Sequence, residues 1–122
     1  MAKILLVDDV AGIRRSVAHI LKLAGHEVVE AENGRVAIQK LKDDNYNLVL
    51  TDILMPEQDG SEVISFLCTL SKRPRIIAMS GGGGQATADQ ALTLARNLAD
   101  GVLMKPFGRA QLAEALDRVL IA

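Results

Sequence analysis

Three acids and one lysine stand at the ends of apolar stretches that are widely separated in the chain. They are Asp8, Asp9, Asp52 and Lys105. In an open parallel sheet the carboxyl ends of the strands face one crevice, so we expect these charges to lie close together. A group of carboxylates with one ammonium suits a divalent cation and a phosphoryl group.

Asp52 is the best candidate for a nucleophile, because it stands alone at the end of a presumed central strand. A carboxylate can attack phosphorus and become an acyl phosphate if the nearby charge is neutralised and the leaving group lies in line. Mg²⁺ prefers oxygen ligands and keeps several waters. We expect Asp9 and Asp52 to bind Mg²⁺ directly, together with a backbone carbonyl just after Asp52, which we assign to Leu54. Asp8 is expected to act through a water molecule.

Ser80 closes the fourth apolar run and is predicted to donate a hydrogen bond to a phosphoryl oxygen, while Lys105 supplies a positive charge to another. Gly81 is small and leaves room in the vicinity of the phosphate. The glycine run 81–84 is either a floppy connection or a loop whose backbone N–H groups approach a phosphate.

Short apolar runs alternate with longer segments of helical period, which is the pattern of a parallel sheet built from βα units. The predicted strands are Ile4–Val7, Glu27–Ala31, Leu48–Asp52, Arg75–Met79 and Val102–Met104. Right-handed crossovers place helices on both faces of such a sheet. We therefore predict an α/β fold, a flavodoxin-like doubly wound three-layer sandwich with five parallel strands in the order 2-1-3-4-5.

Five helices are predicted. The first carries Ile13, Val17, Ile20, Leu21 and Ala24 at helical spacing before Gly25, which is expected to end it in a left-handed conformation. The second and third follow Asn33-Gly34 and Asp59-Gly60, and the last contains Leu112, Leu116 and Val119. The segment from about Ala86 to Leu98 is apolar on more than one face, so part of it is expected to face a partner.

The composition fits one domain over residues 1–122, with 49% hydrophobic residues. Lysine and arginine number 14 against 15 acids, and a net charge of -1 removes the electrostatic argument for nucleic acid. The single Cys68 has apolar neighbours, which predict a buried thiol in a reducing compartment. No signal-peptide pattern is present, nor an apolar stretch near the ~20 residues of a membrane span. We expect a cytoplasmic protein that contacts no membrane.

Several short motifs together resemble the receiver domain of two-component response regulators, of which the chemotaxis response regulator is the simplest relative. They are Leu5–Asp9, Ala31–Gly34, Asp52–Gly60, Ala78–Gly81 and Lys105–Phe107. The resemblance covers essentially the whole chain and implies the five-stranded fold predicted above. It is specific as a set, although each piece alone would be weak.

The resemblance implies a role for each residue of the predicted site. Asp52 would accept a phosphoryl group from a phosphohistidine on a sensor histidine kinase or histidine phosphotransfer protein. Asp8 and Asp9 would hold Mg²⁺, and Ser80 and Lys105 would bind the phosphoryl oxygens.

Two positions depart from the usual receiver pattern. Val102 stands where the family usually places an aromatic residue that turns inward on phosphorylation, so that rotation is not available here. We expect movement of Ser80 and the glycine run to shift the helix over residues 86–98 instead. Leu54 is apolar where relatives often carry a polar side chain that sets water access, which predicts slow loss of the phosphoryl group.

The chain is accordingly predicted to be a signalling switch and not an enzyme, catalysing only its own phosphorylation and dephosphorylation. Its expected output surface comprises the loop after the fourth strand, the helix over 86–98, the fifth strand and the last helix. This surface would control a separate protein or support a homodimer. The pair Arg14-Arg15 is predicted to be solvated, beside the site, where a kinase could meet it.

Three alternatives remain at this point. The phosphoryl group could pass to another protein in a phosphorelay. A small aspartyl-phosphate phosphatase or mutase usually carries an Asp-x-Asp motif on the first strand and a cap, whereas this chain has Asp8-Asp9. A nucleotide- or flavin-binding module usually has a glycine-rich turn after the first strand, where this chain has acids.

Overall fold

A computed structural model describes residues 2–52, 60–80, 99–104 and 107–121. Its five strands are β1 (Lys3–Val7), β2 (Glu27–Ala31), β3 (Leu48–Asp52), β4 (Arg75–Ser80) and β5 (Gly101–Met104). They form one parallel sheet in the order β2-β1-β3-β4-β5. This order confirms the predicted fold, and the strand bounds differ from the prediction by a single residue in β1, β4 and β5.

The described helices are α1 (Ala11–Leu23), α2 (Gly34–Asp43), α3 (Gly60–Cys68) and α4 (Arg109–Ile121). The predicted helix from Ala86 to Leu98 lies outside the described residues. No helix in the described part of the chain is long and apolar enough to cross a membrane.

Helices cover both faces of the sheet. Along β1, Ile4 and Leu6 belong to a buried cluster that includes α1 and α4, whereas Leu5 and Val7 belong to a cluster that includes α2 and α3. All four side chains have no exposed surface. Successive side chains of a strand point to opposite faces, so a strand covered on both faces is apolar throughout.

Local signals set two helix boundaries as predicted. The Asn33 side chain accepts a hydrogen bond from the backbone N–H of Val36 at 2.9 Å and so caps the start of α2. Just beyond α1, Gly25 has a φ of 92°, a left-handed conformation that costs a glycine little. By contrast, α1 begins after Val10 with no side-chain cap.

The prediction that Cys68 is buried was wrong. Cys68 is exposed, and Arg73 Nη1 donates a hydrogen bond to its Sγ at 3.5 Å. The buried face of α3 carries Val63 and Leu67, and Cys68 lies about 100° further around the helix, away from the sheet. Ile13 and Ala24, near the two ends of α1, are also exposed, because only the middle of that helix lies over the core.

The edge of the sheet where the strands begin is polar. Here Lys3 pairs with Asp44 and lies 3.6 Å from Glu27, and its Nζ stands 5.2 Å from the centre of the Tyr46 ring. An open groove of about 690 Å³ next to this cluster is lined by residues 44–47 and 70–75, with Leu41. It lies at the opposite edge of the sheet from the predicted site.

Candidate functional site

The structure brings the three acids together. Val7 of β1 pairs with Thr51 of β3, so Asp8, which follows β1, and Asp52, which ends β3, are carried to the same edge of the sheet. Carboxylate oxygens of Asp8, Asp9 and Asp52 all lie within 4.8 Å of one another. We call these three residues the acid cluster.

Burial differs sharply across the acid cluster. Asp8 is fully buried and Asp52 is 6% exposed, whereas Asp9 is exposed to solvent. Negative charges held this close in a partly buried place repel one another, and a cation relieves that repulsion. Carboxylate oxygens are the ligands that Mg²⁺ prefers, so the chemistry of these donors fits a magnesium site with one side open to water.

The backbone around Asp8 is held by several hydrogen bonds. Its N–H donates to the carbonyl oxygen of Ala31 at 3.2 Å. Its Oδ1 accepts the N–H of Val10 at 2.9 Å, and its carbonyl oxygen accepts a hydrogen bond from Arg14 Nη1 at 2.9 Å. Arg14 Nε donates in turn to Glu30 Oε1 at 3.2 Å.

The prediction that Arg14 lies on a solvated face was wrong. Its side chain is only 14% exposed, whereas Arg15 is exposed. Sequence spacing contained the signal, because Arg14 precedes the buried Val17 and Leu21 by three and seven residues and so lies on the inward stripe of α1. The residue type pointed the other way, because two adjacent arginines usually lie on a solvent-exposed face.

The remaining predicted residues are described only in part. The backbone of Ser80 ends β4 and pairs with Met104 of β5, which places it at the same edge as the acid cluster. Lys105, Leu54 and Gly81 lie outside the described residues. Val102 pairs with Ala78 and packs, half-buried, against the cluster that includes α2 and α3.

Residues 4–117 match the family described as the response regulator receiver domain. The chain belongs to this family. Receiver domains are phosphoacceptor switches in two-component signalling, which confirms the resemblance stated above and the broad function that it implied.

Two chemotaxis relatives extend over almost the whole receiver domain. The chemotaxis protein CheY of Bacillus subtilis is 37% identical over 119 residues, which cover 97% of each chain. The CheY protein of Thermotoga maritima is 36% identical over 118 residues, which cover 96% of each chain.

A solved receiver-domain structure superposes closely on this chain. The receiver domain of a sensor histidine kinase from Pseudomonas aeruginosa superposes with a TM-score of 0.88 at 25% identity, covering 99% of this chain and 98% of that one. That protein holds a magnesium ion coordinated in its active site cleft.

Proposed function

We propose that Asp52 is the phosphoacceptor of this receiver domain. The observation that carries the proposal is the placement of a nearly buried carboxylate at the end of the central strand β3, with the oxygens of two further acids within 4.8 Å. Asp52 is the one acid of the cluster that belongs to a strand: it pairs with Met79 of β4, and the preceding residue, Thr51, pairs with Val7 of β1. A nucleophile held in one orientation gains from proximity to a bound donor.

The acid cluster is proposed to hold Mg²⁺, with Asp9 and Asp52 as direct ligands and Asp8 acting through water. The Leu54 backbone carbonyl is assigned as a further ligand. When bound, Mg²⁺ neutralises charge on the carboxylates and on the phosphoryl oxygens. The buried Asp8 supplies a charge that does not move, because its amide, carbonyl and Oδ1 are all hydrogen-bonded.

The proposed transfer uses only the phosphorylated imidazole of the donor and one proton from water. A carboxylate oxygen of Asp52 attacks phosphorus, the new O–P bond forms an acyl phosphate, and the P–N bond to the donor imidazole breaks. The imidazole nitrogen keeps the bonding electron pair and takes a proton from solvent water. Ser80 and Lys105 are proposed to bind the phosphoryl oxygens, and Gly81 leaves space beside them. The position of Ser80 at the end of β4, next to β3, supports its part in this set.

The proposed donor is a phosphohistidine on a sensor histidine kinase or histidine phosphotransfer protein. We propose that residues 1–122 act as one receiver unit in the cytoplasm, catalysing only their own phosphorylation and dephosphorylation. Phosphorylation would shift Ser80 and the glycine run, and with them residues 86–98, β5 and α4. This surface would control a separate protein or form a homodimer, with Val102 too small to act as a rotating ring.

The assignment of Asp52 can be tested by intact-mass spectrometry. Incubation with acetyl phosphate and Mg²⁺ is expected to add one phosphoryl group to the wild-type chain and none to Asp52→Asn. Asp117→Asn, which removes an exposed acid from α4, is the matched control and is expected to be modified like the wild type. Equal modification of Asp52→Asn and the wild type would refute Asp52 as the acceptor.

A further inference from the structure

Arg14 connects three elements beneath the acid cluster. From α1 it donates to the carbonyl oxygen of Asp8, just beyond β1, and to the carboxylate of Glu30 in β2. The Arg14 side chain is 14% exposed and that of Glu30 is 33% exposed, so the pair is sheltered from solvent more than most surface ion pairs. Arginine makes two such bonds at once because its planar guanidinium presents several donors in a fixed geometry.

The carbonyl that Arg14 holds belongs to the peptide bond between Asp8 and Asp9. A peptide unit is planar, so fixing its oxygen fixes the direction in which the chain enters Asp9. The N–H of Asp8 is already held by β2, and its Oδ1 by Val10. The bond from Arg14 therefore adds a further restraint on the backbone that carries the two neighbouring carboxylates.

We propose that Arg14, anchored by Glu30, is a positioning residue that holds the Asp8-Asp9 peptide in the orientation needed for the acid cluster to bind a divalent cation. The inference rests on the proposed function, since the cation is the one used in phosphorylation. Arg14 itself touches neither the cation nor phosphorus in this scheme. Loss of a group that orients a metal ligand in this way typically weakens metal binding by about 10–100-fold.

Electrostatics and positioning predict opposite signs for the loss of Arg14. Arg14 is a positive charge close to a site for a cation, so simple Coulomb repulsion predicts that its removal tightens Mg²⁺ binding. Loss of a fixed peptide orientation predicts weaker binding. Whether Mg²⁺ affinity rises or falls when Arg14 is lost therefore distinguishes the two explanations, whatever the size of the change.

The test is a calorimetric titration of the full chain with Mg²⁺ at fixed ionic strength. Arg14→Met is expected to bind Mg²⁺ about tenfold more weakly than the wild type. The matched control is Arg15→Met, which removes the same charge from the next, exposed position of α1 and is expected not to weaken binding. Arg14→Met binding as tightly as the wild type, or more tightly, would overturn the proposal.

A second variant keeps the proposal testable if Arg14→Met does not fold. Arg14→Lys keeps the charge and most of the packing, but one ammonium cannot reproduce the forked pair of bonds. It is expected to weaken Mg²⁺ binding by a factor close to that of Arg14→Met. Wild-type affinity in Arg14→Lys would show that charge alone is required and would also overturn the proposal.

The anchoring role of Glu30 has its own test. If Glu30 acts through Arg14, then adding Glu30→Ala to Arg14→Met produces no further loss of Mg²⁺ affinity, whereas Glu30→Ala alone weakens it. Independent, additive losses would refute the coupling between the two residues.

Kinetics distinguish this inference from the proposed function. With acetyl phosphate as donor, Arg14→Met is expected to need about tenfold more Mg²⁺ for half-maximal phosphorylation but to approach the wild-type rate at saturating Mg²⁺. A wild-type chain that neither binds Mg²⁺ nor accepts phosphate would refute the proposed function itself. A functional wild type with an unchanged Mg²⁺ requirement in Arg14→Met would refute only the positioning role.

Discussion

At the scale of single residues, the acid cluster is a local concentration of like charge. Asp8, Asp9 and Asp52 bring oxygens within 4.8 Å of one another, and two of the three are buried. Such repulsion opposes folding when no cation is present, and binding a cation to the folded state reverses that effect. Stability and cation binding are therefore expected to depend on the same side chains.

Asp9→Asn tests this relation, because Asp9 is the exposed member of the acid cluster. Removing its charge is expected to stabilise the Mg²⁺-free protein by about 1 kcal/mol, since two charges about 4 Å apart in water repel by roughly that amount. Added Mg²⁺ should then raise the unfolding temperature of the variant less than that of the wild type. Thermal unfolding with and without Mg²⁺ measures both effects, with Asp117→Asn as control. If Mg²⁺ raised the unfolding temperature of Asp9→Asn as much as that of the wild type, Asp9 would not be a ligand.

The convergence of the acids could be predicted from the sequence because strand ends share an edge in a parallel sheet. This needs only the strand positions, which short apolar runs mark clearly. The hydrogen bonds of Arg14 could not be predicted in the same way. Its partners are a carbonyl and an acid on two other elements, and their distance depends on how α1 packs against β1 and β2.

At the scale of elements, β5 and α4 pack so closely that a side chain on Gly101 would be crowded. A Cβ there would lie 3.0 Å from Val119 Cγ2 and 3.6 Å from Ile77 Cγ1. Val119 is a buried β-branched residue with little rotamer freedom, so it cannot move away easily. The close approach explains why the smallest residue begins β5.

Gly101→Ala is expected to lower the free energy of unfolding by about 1 kcal/mol because it overpacks this contact. Gly12→Ala is the matched control, since a Cβ on Gly12 in α1 meets nothing within 4 Å. That control is expected to raise the free energy of unfolding by about 0.5–1 kcal/mol through better helix propensity. Urea denaturation measures both values, and equal effects of the two substitutions would contradict the packing argument.

Element boundaries show where sequence patterns stop being informative. The predicted strands are close to the observed ones because burial on both faces leaves continuous apolar runs. The last helix begins at Arg109, ahead of the first apolar residue of its predicted pattern, Leu112. The polar bond from the Gly108 N–H to Gln111 Oε1, at 2.9 Å, helps to set that start, and hydrophobic periodicity does not report it.

At the scale of the whole molecule, the two edges of the sheet carry different electrostatics. The acid cluster lies where the strands end, whereas Lys3, Asp44 and Tyr46 form a compact polar group where they begin. Hydrogen bonds from Lys3 and from the Asn45 backbone lower the pKa of Asp44, and the bond to Asp44 raises the pKa of Lys3. Burial raises the pKa of Tyr46.

These shifts predict how the Lys3–Asp44 pair depends on pH. A lowered carboxyl pKa contributes stability that is present above the ordinary value of 3.8 and is lost as the pH falls through the folded-state value. A raised lysine pKa contributes stability that is present below the ordinary value of 10.5 and is lost as the pH rises through the folded-state value. The pair therefore stabilises the fold across the whole neutral range.

Asp44→Asn is expected to lower stability slightly and by a constant amount between about pH 5 and pH 9. The difference from the wild type should shrink toward both extremes, where the wild-type pair loses one of its charges. Urea denaturation across this range measures it. Asp43→Asn serves as control, because the Asp43 carboxylate accepts a hydrogen bond from Gln39 instead. A difference that grows as the pH falls below 4 would contradict the predicted sign.

The exposed position of Cys68 has a practical consequence for studies of self-association. The chain has one cysteine, so oxidation in air can link it only to a second molecule or to a small thiol. Covalently crosslinked pairs formed on storage would mimic a phosphorylation-dependent homodimer in size measurements. A reducing agent, or a Cys68→Ser chain, prevents such crosslinks, so that size measurements test the proposed homodimer alone.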